Sequence, residues 1–212
     1  MSKQINQTIC RIKRYIIYGL QYFLWEKPRG LDFTMRDTHL LREGKGLHGY
    51  SKTNEKHLKE IFQALEVQSS DCLLDVGCGK GGVLRGAAVF PFKRIVGIDI
   101  DPRLIEIAKN NFKILGLSDK IECSVEDALT YQGYHQFNIF FFFNPFGEEI
   151  MRTVVDKIIK TNVGKERFFI IYHNPVYYKI IENAGCFRKI KELFDSSKQY
   201  KTYIYAANWE SN

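Results

Sequence analysis

Four short stretches of the chain carry glycines, carboxylates and amides at spacings that suit ligand binding. Residues 75–82 (DVGCGKGG) place an acid ahead of a run of glycines, and such glycines let the backbone approach a ligand closely. Asp99 lies 22 residues beyond Gly77, a spacing suited to a carboxylate that accepts both hydrogen bonds of a ribose diol. Residues 126–128 (EDA) and 144–147 (NPFG) are the other two stretches. Together they predict a cofactor site.

Alternating strands and helices must hold these four stretches. Each stretch directly follows an apolar run that reads as a buried strand, and periodic helical segments separate the runs. The predicted strands cover residues 72–76, 94–98, 121–125, 137–143, 167–172, 186–194 and 200–207. Only residues 195–199 separate the last two strands, which allows an antiparallel hairpin but no parallel crossover. The sequence therefore predicts an α/β fold, a Rossmann-like, doubly wound sheet of seven strands that is mostly parallel and ends in a hairpin.

From about residue 51 to the C-terminus, the order of these motifs resembles that of class I S-adenosylmethionine-dependent methyltransferases. The resemblance implies that Asp75 and the glycines hold the methionine end and the ribose edge of the cofactor. It also implies that Asp99 binds the ribose hydroxyls, that Ile100 packs against adenine and that Asp127 accepts from the adenine amino group. The expected cofactor-binding residues are Asp75, Gly77, Cys78, Gly79, Gly81, Asp99, Ile100, Asp127, Ala128 and Asn144.

Methyl transfer by in-line displacement needs positioning and, for some acceptors, removal of a proton. It requires no metal, and the product would be S-adenosylhomocysteine. The stretch Asn144-Pro145-Phe146 is similar to the Asp/Asn-Pro-Pro-aromatic motif of amino-group methyltransferases, in which the amide oxygen aims the amine and the ring stacks on the substrate. This chain has one proline where the motif has two, so the acceptor could be N or O. His173 is the candidate general base for an O-directed reaction, or a structural histidine.

Two other functional classes remain open at this point. Gly77, Gly79 and Gly82 also satisfy the GxGxxG pattern of NAD(P)-dependent oxidoreductases. The position of Asp75 two residues before the first glycine, the acid at Asp127 and the final hairpin favour the methyltransferase. The third class is an inactive, cofactor-binding module that acts through its N-terminal helix. Tyr50, just ahead of the first helix of the sheet domain, is a candidate lid contact.

The charge of the chain is concentrated at its N-terminal end. The 212 residues have a net charge of +7, and residues 1–60 contribute twelve bases against six acids. Such a segment favours an anionic partner, either nucleic acid or a membrane surface. The five cysteines form no CxxC pair and are odd in number, which favours a reduced, cytoplasmic protein without structural zinc.

The N-terminal segment is predicted to be a basic, aromatic-rich helical extension covering residues 1–50, ahead of a methyltransferase domain at 51–212. Residues 15–25 (YIIYGLQYFLW) are too short to span a bilayer. At helical period the segment has two apolar stripes, one of Ile9, Ile12, Ile16, Leu20 and Phe23 and the other of Tyr15, Tyr18, Tyr22 and Trp25. We expect this helix to pack on its own domain or on a second copy in a homodimer, with peripheral attachment to a membrane as the alternative. Residues 1–30 are expected to be dispensable for cofactor binding.

Overall fold

A seven-stranded sheet forms the centre of the protein in the computed structural model, which describes residues 16–35, 50, 52–195 and 200–208. The strands are β1 Cys72–Val76, β2 Arg94–Asp99, β3 Ile121–Val125, β4 Ile139–Phe143, β5 Phe169–His173, β6 Phe187–Phe194 and β7 Lys201–Ala207. β4 begins two residues later than predicted, because Phe137 still caps the 3₁₀ turn Gly133–Gln136.

The strand order is β3-β2-β1-β4-β5-β7-β6. β1 to β5 run parallel, and β7 runs antiparallel to both β5 and β6. The predicted doubly wound sheet with a terminal hairpin is therefore confirmed. β1 pairs with β2 on one side and with β4 on the other, so the order reverses at β1. In open α/β sheets, ligands bind at the carboxyl ends of the strands beside such a reversal.

Helices cover both faces of the sheet. Residues 16–21 form α1, which continues into the π turn Tyr22–Glu26 and the 3₁₀ turn Lys27–Arg29. The other helices are α2 Glu55–Leu65, α3 Gly82–Ala87, α4 Pro102–Ile114, α5 Glu148–Asn162 and α6 Lys179–Glu182. As the sequence indicates, α2 and α4 begin at side-chain caps, where Asn54 accepts from the backbone N–H of His57 and Asp101 from that of Arg103.

Two apolar layers lie against the sheet. α2, α3 and α4 bury residues such as Phe62, Leu84 and Phe112 on one face. α5 and α6 bury residues such as Met151 and Ile181 on the other. Because parallel strands are covered on both sides, they are nearly uniformly apolar, as in the β4 sequence IFFFF.

The N-terminal segment both joins the core and exposes apolar surface. Leu31 and Phe33 are buried in the layer formed by α2 to α4, whereas Ile16, Leu20 and Phe23 are each more than half exposed. The expectation that this stripe packs on its own domain is therefore wrong for these residues, and Ile12 lies outside the described part. The boundary at residue 50 stays a prediction. In the described ranges, no helix has both the length and the apolar character needed to cross a bilayer.

Candidate cofactor site

The glycine-rich turn after β1 is held against the end of β2. The backbone N–H groups of Gly77 and Cys78 both donate to the carbonyl oxygen of Ile98, at 2.9 and 3.0 Å. Gly77, Gly79 and Gly81 have φ angles of 81°, 53° and 81°, in the left-handed region that favours glycine. The turn therefore needs glycine at these three positions for conformational reasons alone.

Each of these glycines also leaves room for a different neighbour. A Cβ atom on Gly77 would lie 2.7 Å from the Cβ of Pro145, so this glycine brings the turns after β1 and β4 together. A Cβ on Gly79 would overlap the ring of Tyr50, and one on Gly81 would overlap the ring of Phe112 in α4. Gly81 thus leaves room for the core side chain of Phe112, whereas Gly77 and Gly79 lie at the edge of the sheet where the strands end.

Asp75 carries an unsatisfied oxygen inside the protein. The residue is 2% exposed, and its Oδ2 atom is buried without a hydrogen-bond partner among the described residues. Burial, reinforced by the nearby carboxylate of Asp99, raises the pKa of Asp75 well above its usual value. A buried acceptor without a donor is destabilising by about 1–3 kcal/mol. Such an atom at a strand end fits a ligand that brings a hydrogen-bond donor or a positive charge.

Asp99 connects the ends of β1 and β2. Its Oδ2 accepts from the backbone N–H of Gly79 at 2.8 Å, and its Oδ1 accepts from that of Asp101 at 2.9 Å. Burial raises the pKa of Asp99, and these hydrogen bonds oppose that rise. Because each carboxylate oxygen can accept about two hydrogen bonds, the geometry leaves acceptor capacity for a ligand such as a ribose diol.

The predicted adenine-side residues occupy the turns after β2 and β3. Ile100 is 40% exposed at the end of β2, as a residue that covers a flat apolar ligand would be. The Asp127 carboxylate accepts from the backbone N–H of Leu129 at 2.8 Å and so closes its own turn. Ala128 is buried, and its carbonyl oxygen accepts from the Tyr134 hydroxyl. Whether these residues contact adenine stays a prediction.

Asn144 adopts an unusual backbone conformation at the end of β4. Its φ is 43°, which is uncommon for a residue other than glycine and is frequent at functional sites. The Tyr172 hydroxyl donates to its Oδ1 atom at 3.0 Å, and this bond fixes the orientation of the amide.

Phe146 does not occupy the position expected of a ring that stacks on substrate. It is 7% exposed and packs in the apolar layer beneath α5, with Met151 among the members of that layer. Pro145 is half-buried and lies against the glycine turn at Gly77. The structure therefore brings Asn144 and Pro145 to the site and directs Phe146 into the core.

His173 lies in a buried cluster rather than in an open cleft. Its Nδ1 atom is 2.8 Å from the hydroxyl oxygen of Thr202, and the Nε2 atom of His57 is 2.7 Å from the same oxygen. Burial, aided by His57, lowers the pKa of His173 to about 3. The imidazole is therefore neutral at physiological pH and a very weak base, which favours the structural role over general-base catalysis.

A strap formed by residues 26–35 runs beside the glycine turn, and sequence reasoning missed its contacts. The Glu26 side chain is fully buried and accepts from Lys52 at 3.2 Å and from the backbone N–H groups of Phe33 and Thr34 at 2.9 Å. Burial lowers the pKa of Lys52, and Glu26 opposes that change. A lone glutamate in a basic segment gives no sequence signal that it will be buried and paired with a lysine. The Lys-Pro-Arg-Gly that follows Glu26 does indicate a turn.

The strap is also joined to the turn itself. The Lys80 side chain donates to Asp32 at 2.6 Å and to the carbonyl oxygen of Met35 at 2.9 Å. The Tyr50 hydroxyl donates to the carbonyl oxygen of Phe33, which holds its ring over Gly79. Whether Tyr50 acts as a lid over a bound cofactor stays a prediction.

A cavity of about 300 Å³ lies near the predicted acceptor side. Residues of the first turns of α5 and of the segment before α6 line it, including Arg152, Tyr177 and Lys179. The backbone N–H of Tyr177 donates to the Tyr172 hydroxyl at 3.4 Å, which connects this cavity to Asn144. In the part of the chain that the structure describes, no group of three His, Cys, Asp or Glu side chains is arranged to hold a metal ion.

Comparison with known proteins gives a consistent result. Residues 73–161 match a family model described as "Methyltransferase domain". The chain is 28% identical over 142 residues to the ribosomal protein L11 methyltransferase of Pelobacter propionicus, a match that covers 66% of this chain and 45% of that protein. It is 35% identical over 67 residues to a probable fatty acid methyltransferase of Pseudomonas putida, which covers 32% and 17%. The chain therefore spans less than half the length of these curated relatives.

Solved structures share the fold at low sequence identity. An RNA methyltransferase from Salinibacter ruber in complex with S-adenosylhomocysteine has a TM-score of 0.59 at 17% identity, covering 76% of this chain and 95% of that one. The N-methyltransferase NodS of Bradyrhizobium japonicum WM9 has a TM-score of 0.56 at 16% identity, covering 72% and 86%. The sheet order, the glycine turn and the match at residues 73–161 agree, and they confirm the predicted resemblance to class I S-adenosylmethionine-dependent methyltransferases.

Proposed function

We propose that the protein transfers a methyl group from S-adenosylmethionine to a nitrogen or oxygen atom of its acceptor by in-line displacement. The observation that carries this proposal is the buried, unpartnered Oδ2 atom of Asp75 beside the glycine turn. S-Adenosylmethionine, when bound, supplies an activated methyl group on a positively charged sulfur. Asp75 and the turn at Gly77 and Gly79 would hold its methionine end, and Asp99 its ribose.

The charge of the site supports this cofactor over a nicotinamide dinucleotide. Asp75 and Asp99 are both buried, and burial together with the charge of Asp99 raises the pKa of Asp75. A ligand with a sulfonium and an ammonium group would relieve this repulsion. A diphosphate brought to the same turn would add to it. The two carboxylates therefore oppose the oxidoreductase alternative, although the glycines alone permit it.

Asn144 is the residue we assign to the acceptor. The bond from Tyr172 orients its amide, so that Oδ1 can accept a hydrogen bond from an amine or hydroxyl and direct the acceptor's lone pair. Burial raises the pKa of Tyr172 to about 12, so its hydroxyl stays protonated and remains a donor. The cavity lined by Tyr177, whose backbone N–H donates to the Tyr172 hydroxyl, offers volume for an acceptor on this side of the sheet. A neutral amine presents its lone pair without prior removal of a proton, so methyl transfer to an amine does not require His173 as a base. The buried position of His173 is therefore compatible with the role assigned to Asn144.

Calorimetry tests the cofactor assignment separately from catalysis. We expect the full-length protein to bind S-adenosylmethionine and S-adenosylhomocysteine and not NAD, and Asp75→Asn to weaken that binding. The control is Asp119→Asn, at an exposed acid far from the turn. Binding of NAD, or unchanged affinity in Asp75→Asn, would overturn the assignment. Methyl transfer to a panel of amine and hydroxyl acceptors then separates an active enzyme from an inactive cofactor-binding module.

A further inference from the structure

The first described helix presents an apolar face that the other described residues leave uncovered. Ile16, Ile17, Leu20, Phe23 and Leu24 are between 54% and 73% exposed. Ile16, Leu20 and Phe23 follow the i, i+4, i+7 spacing, and Ile17, Leu20 and Leu24 the i, i+3, i+7 spacing. Both place residues on one side of a helix. Contiguous exposed apolar surface of this kind marks an interaction site.

Basic groups border this face, and its single acid is withdrawn from it. Lys27 and Arg29 are exposed one turn further on, where Lys27 lies 5.4 Å from the centre of the Phe23 ring and Arg29 lies 5.3 Å from that of Trp25. Residues 1–31 contain six bases and one acid, Glu26. Because Glu26 is fully buried and paired with Lys52, the described part of this segment up to Leu31 exposes Lys27 and Arg29 and no acid.

The combination fits the surface of an anionic bilayer better than the other candidate partners. A twofold dimer through this face would bring equivalent cations of two copies together, which is repulsive. A nucleic acid would satisfy the cations but would leave the Ile and Leu side chains in water. A membrane interface accommodates both, since apolar side chains enter the acyl boundary while Lys and Arg reach the phosphates and Trp lies between them.

The helix is fixed to the edge of the sheet that carries the glycine turn. Gln21 donates to Glu55, the first residue of α2, at 3.5 Å. Arg85 of α3 lies 5.8 Å from the centre of the Trp25 ring. The amino ends of α2 and α3 lie where the strands end, so the apolar face and the cofactor turn belong to the same edge of the molecule.

We infer that the apolar face of residues 16–25, together with Lys27 and Arg29, is a docking surface for membranes that contain anionic phospholipids. Docking would hold the cofactor edge of the sheet on the membrane-proximal side. It goes beyond the proposed methyl transfer and does not depend on it, because the two use different residues.

Co-sedimentation of the full-length protein with vesicles tests this inference. The vesicles are phosphatidylcholine alone or phosphatidylcholine with about 30% phosphatidylglycerol, at about 0.05 M and about 0.5 M NaCl. The variants are Leu20→Ser/Leu24→Ser for the apolar face and Lys27→Gln/Arg29→Gln for the charge. Their matched controls, Val89→Ser/Val163→Ser and Lys93→Gln/Lys113→Gln, change exposed residues elsewhere on the surface. Thermal melts and cofactor affinity confirm that each variant is folded.

We expect binding to the anionic vesicles only, weakened at the higher salt concentration. Leu20→Ser/Leu24→Ser should weaken it by about tenfold or more, Lys27→Gln/Arg29→Gln by several-fold, and the controls not at all. Three results would overturn the inference. They are no binding to anionic vesicles at low salt, a dimer that Leu20→Ser/Leu24→Ser converts to a monomer, and RNA binding that depends on the two cations alone. Unchanged cofactor affinity in these variants keeps the outcome separate from that of the proposed function.

Discussion

At the scale of single residues, the proposed binding role of Asp75 would come at the expense of stability. A carboxylate buried at a strand end without a donor, next to a second buried carboxylate, destabilises the cofactor-free protein. An apolar residue would serve the core better at this position. The arrangement becomes favourable only when a ligand supplies the missing donor or charge, so Asp75 is the residue at which stability and function should separate most clearly.

The pH dependence of stability should show this separation. In the unfolded chain Asp75 titrates at about pH 3.9, whereas burial raises its pKa in the folded protein. Between these two values the folded state holds a proton that the unfolded state has lost, so stability falls as pH rises. Asp75→Asn removes this effect. In thermal melts of the cofactor-free proteins, the variant should gain in melting temperature over the wild type, by at least about 2 °C, at about pH 7. This gain should shrink near pH 4. A difference independent of pH would show that Asp75 does not titrate in this way.

Asp99 should contribute to cofactor affinity through its acceptor capacity. Asp99→Ala removes a charged acceptor near the ribose position and should weaken S-adenosylmethionine binding by about 1–3 kcal/mol, or about 5- to 150-fold in Kd. The variant also removes the hydrogen bond from the N–H of Gly79. A thermal melt therefore accompanies the calorimetry to show that the variant is folded. Asp119→Ala, at an exposed acid, is the control. Equal affinities in Asp99→Ala and the wild type would reject the ribose assignment.

Sequence reasoning located the acids better than it located the aromatic ring. The strand ends that carry Asp75 and Asp99 follow from periodicity, and their spacing from the glycines indicates chemistry. The orientation of Phe146 depends on how the chain turns after Asn144, whose positive φ sends the following residues into the layer under α5. No pattern in the sequence predicts the positive φ of Asn144. The same applies to Gly81, whose neighbour Phe112 comes from a helix 31 positions away.

At the scale of elements, the strap of residues 26–35 depends on a buried ion pair. Glu26→Gln would leave the buried Lys52 with only the exposed carboxylate of Glu55, at 3.5 Å, as a counter-charge, and breaking a buried pair typically costs about 3–5 kcal/mol. The matched control is Glu148→Gln, which breaks an exposed pair with Arg152 and should cost less than about 1 kcal/mol. Urea unfolding measures both. If the two variants lose equal stability, the strap does not depend on the pair at Glu26.

Tyr50 connects the strap to the glycine turn and should act on the rate of cofactor release. Its ring lies over Gly79 and its hydroxyl is bonded to the strap. Tyr50→Ala removes the ring and should speed the dissociation of S-adenosylmethionine by about tenfold, equivalent to about 1.4 kcal/mol. Tyr50→Phe keeps the ring and should stay near the wild-type rate in stopped-flow measurements. A tighter complex in Tyr50→Ala would mean instead that the ring obstructs the cofactor.

The elements of the sheet could be predicted from the sequence, and the strap could not. A strand such as β4, with the sequence IFFFF, and a capped helix such as α4 carry local signals that agree with their final packing. The strap lacks such signals, since its structure comes from contacts with residues far along the chain. Asn111, for example, donates to the carbonyl oxygens of Asp32 and Lys80 and accepts from the N–H of Asp32. These long-range bonds determine which part of a basic segment joins the core.

At the scale of the whole molecule, the N-terminal segment has two parts with opposite properties. From Ile16 to Trp25 its large aliphatic side chains are exposed, whereas Glu26, Leu31 and Phe33 are buried within the domain. The exposed and the buried parts of the described segment therefore meet near residue 25. Surface interactions should therefore determine the role of the first part, whereas burial of side chains in the domain holds the second part in place.

Two truncations separate these parts. Among the described residues, removal of residues 1–24 deletes no buried side chain, so the shortened protein should keep its cooperative unfolding and its affinity for S-adenosylmethionine. Removal of residues 1–35 also deletes Leu31 and Phe33, at about 2–5 kcal/mol for each buried side chain, and leaves Lys52 without Glu26. That loss approaches the total stability of a typical domain, about 5–15 kcal/mol, so this protein should not fold cooperatively. Circular dichroism, urea unfolding and calorimetry compare the two. If residues 36–212 fold and bind the cofactor as well as the full chain does, the strap is a separate extension, as a boundary at residue 50 would require. If even the shorter truncation abolishes binding, the exposed helix is part of the cofactor site as well.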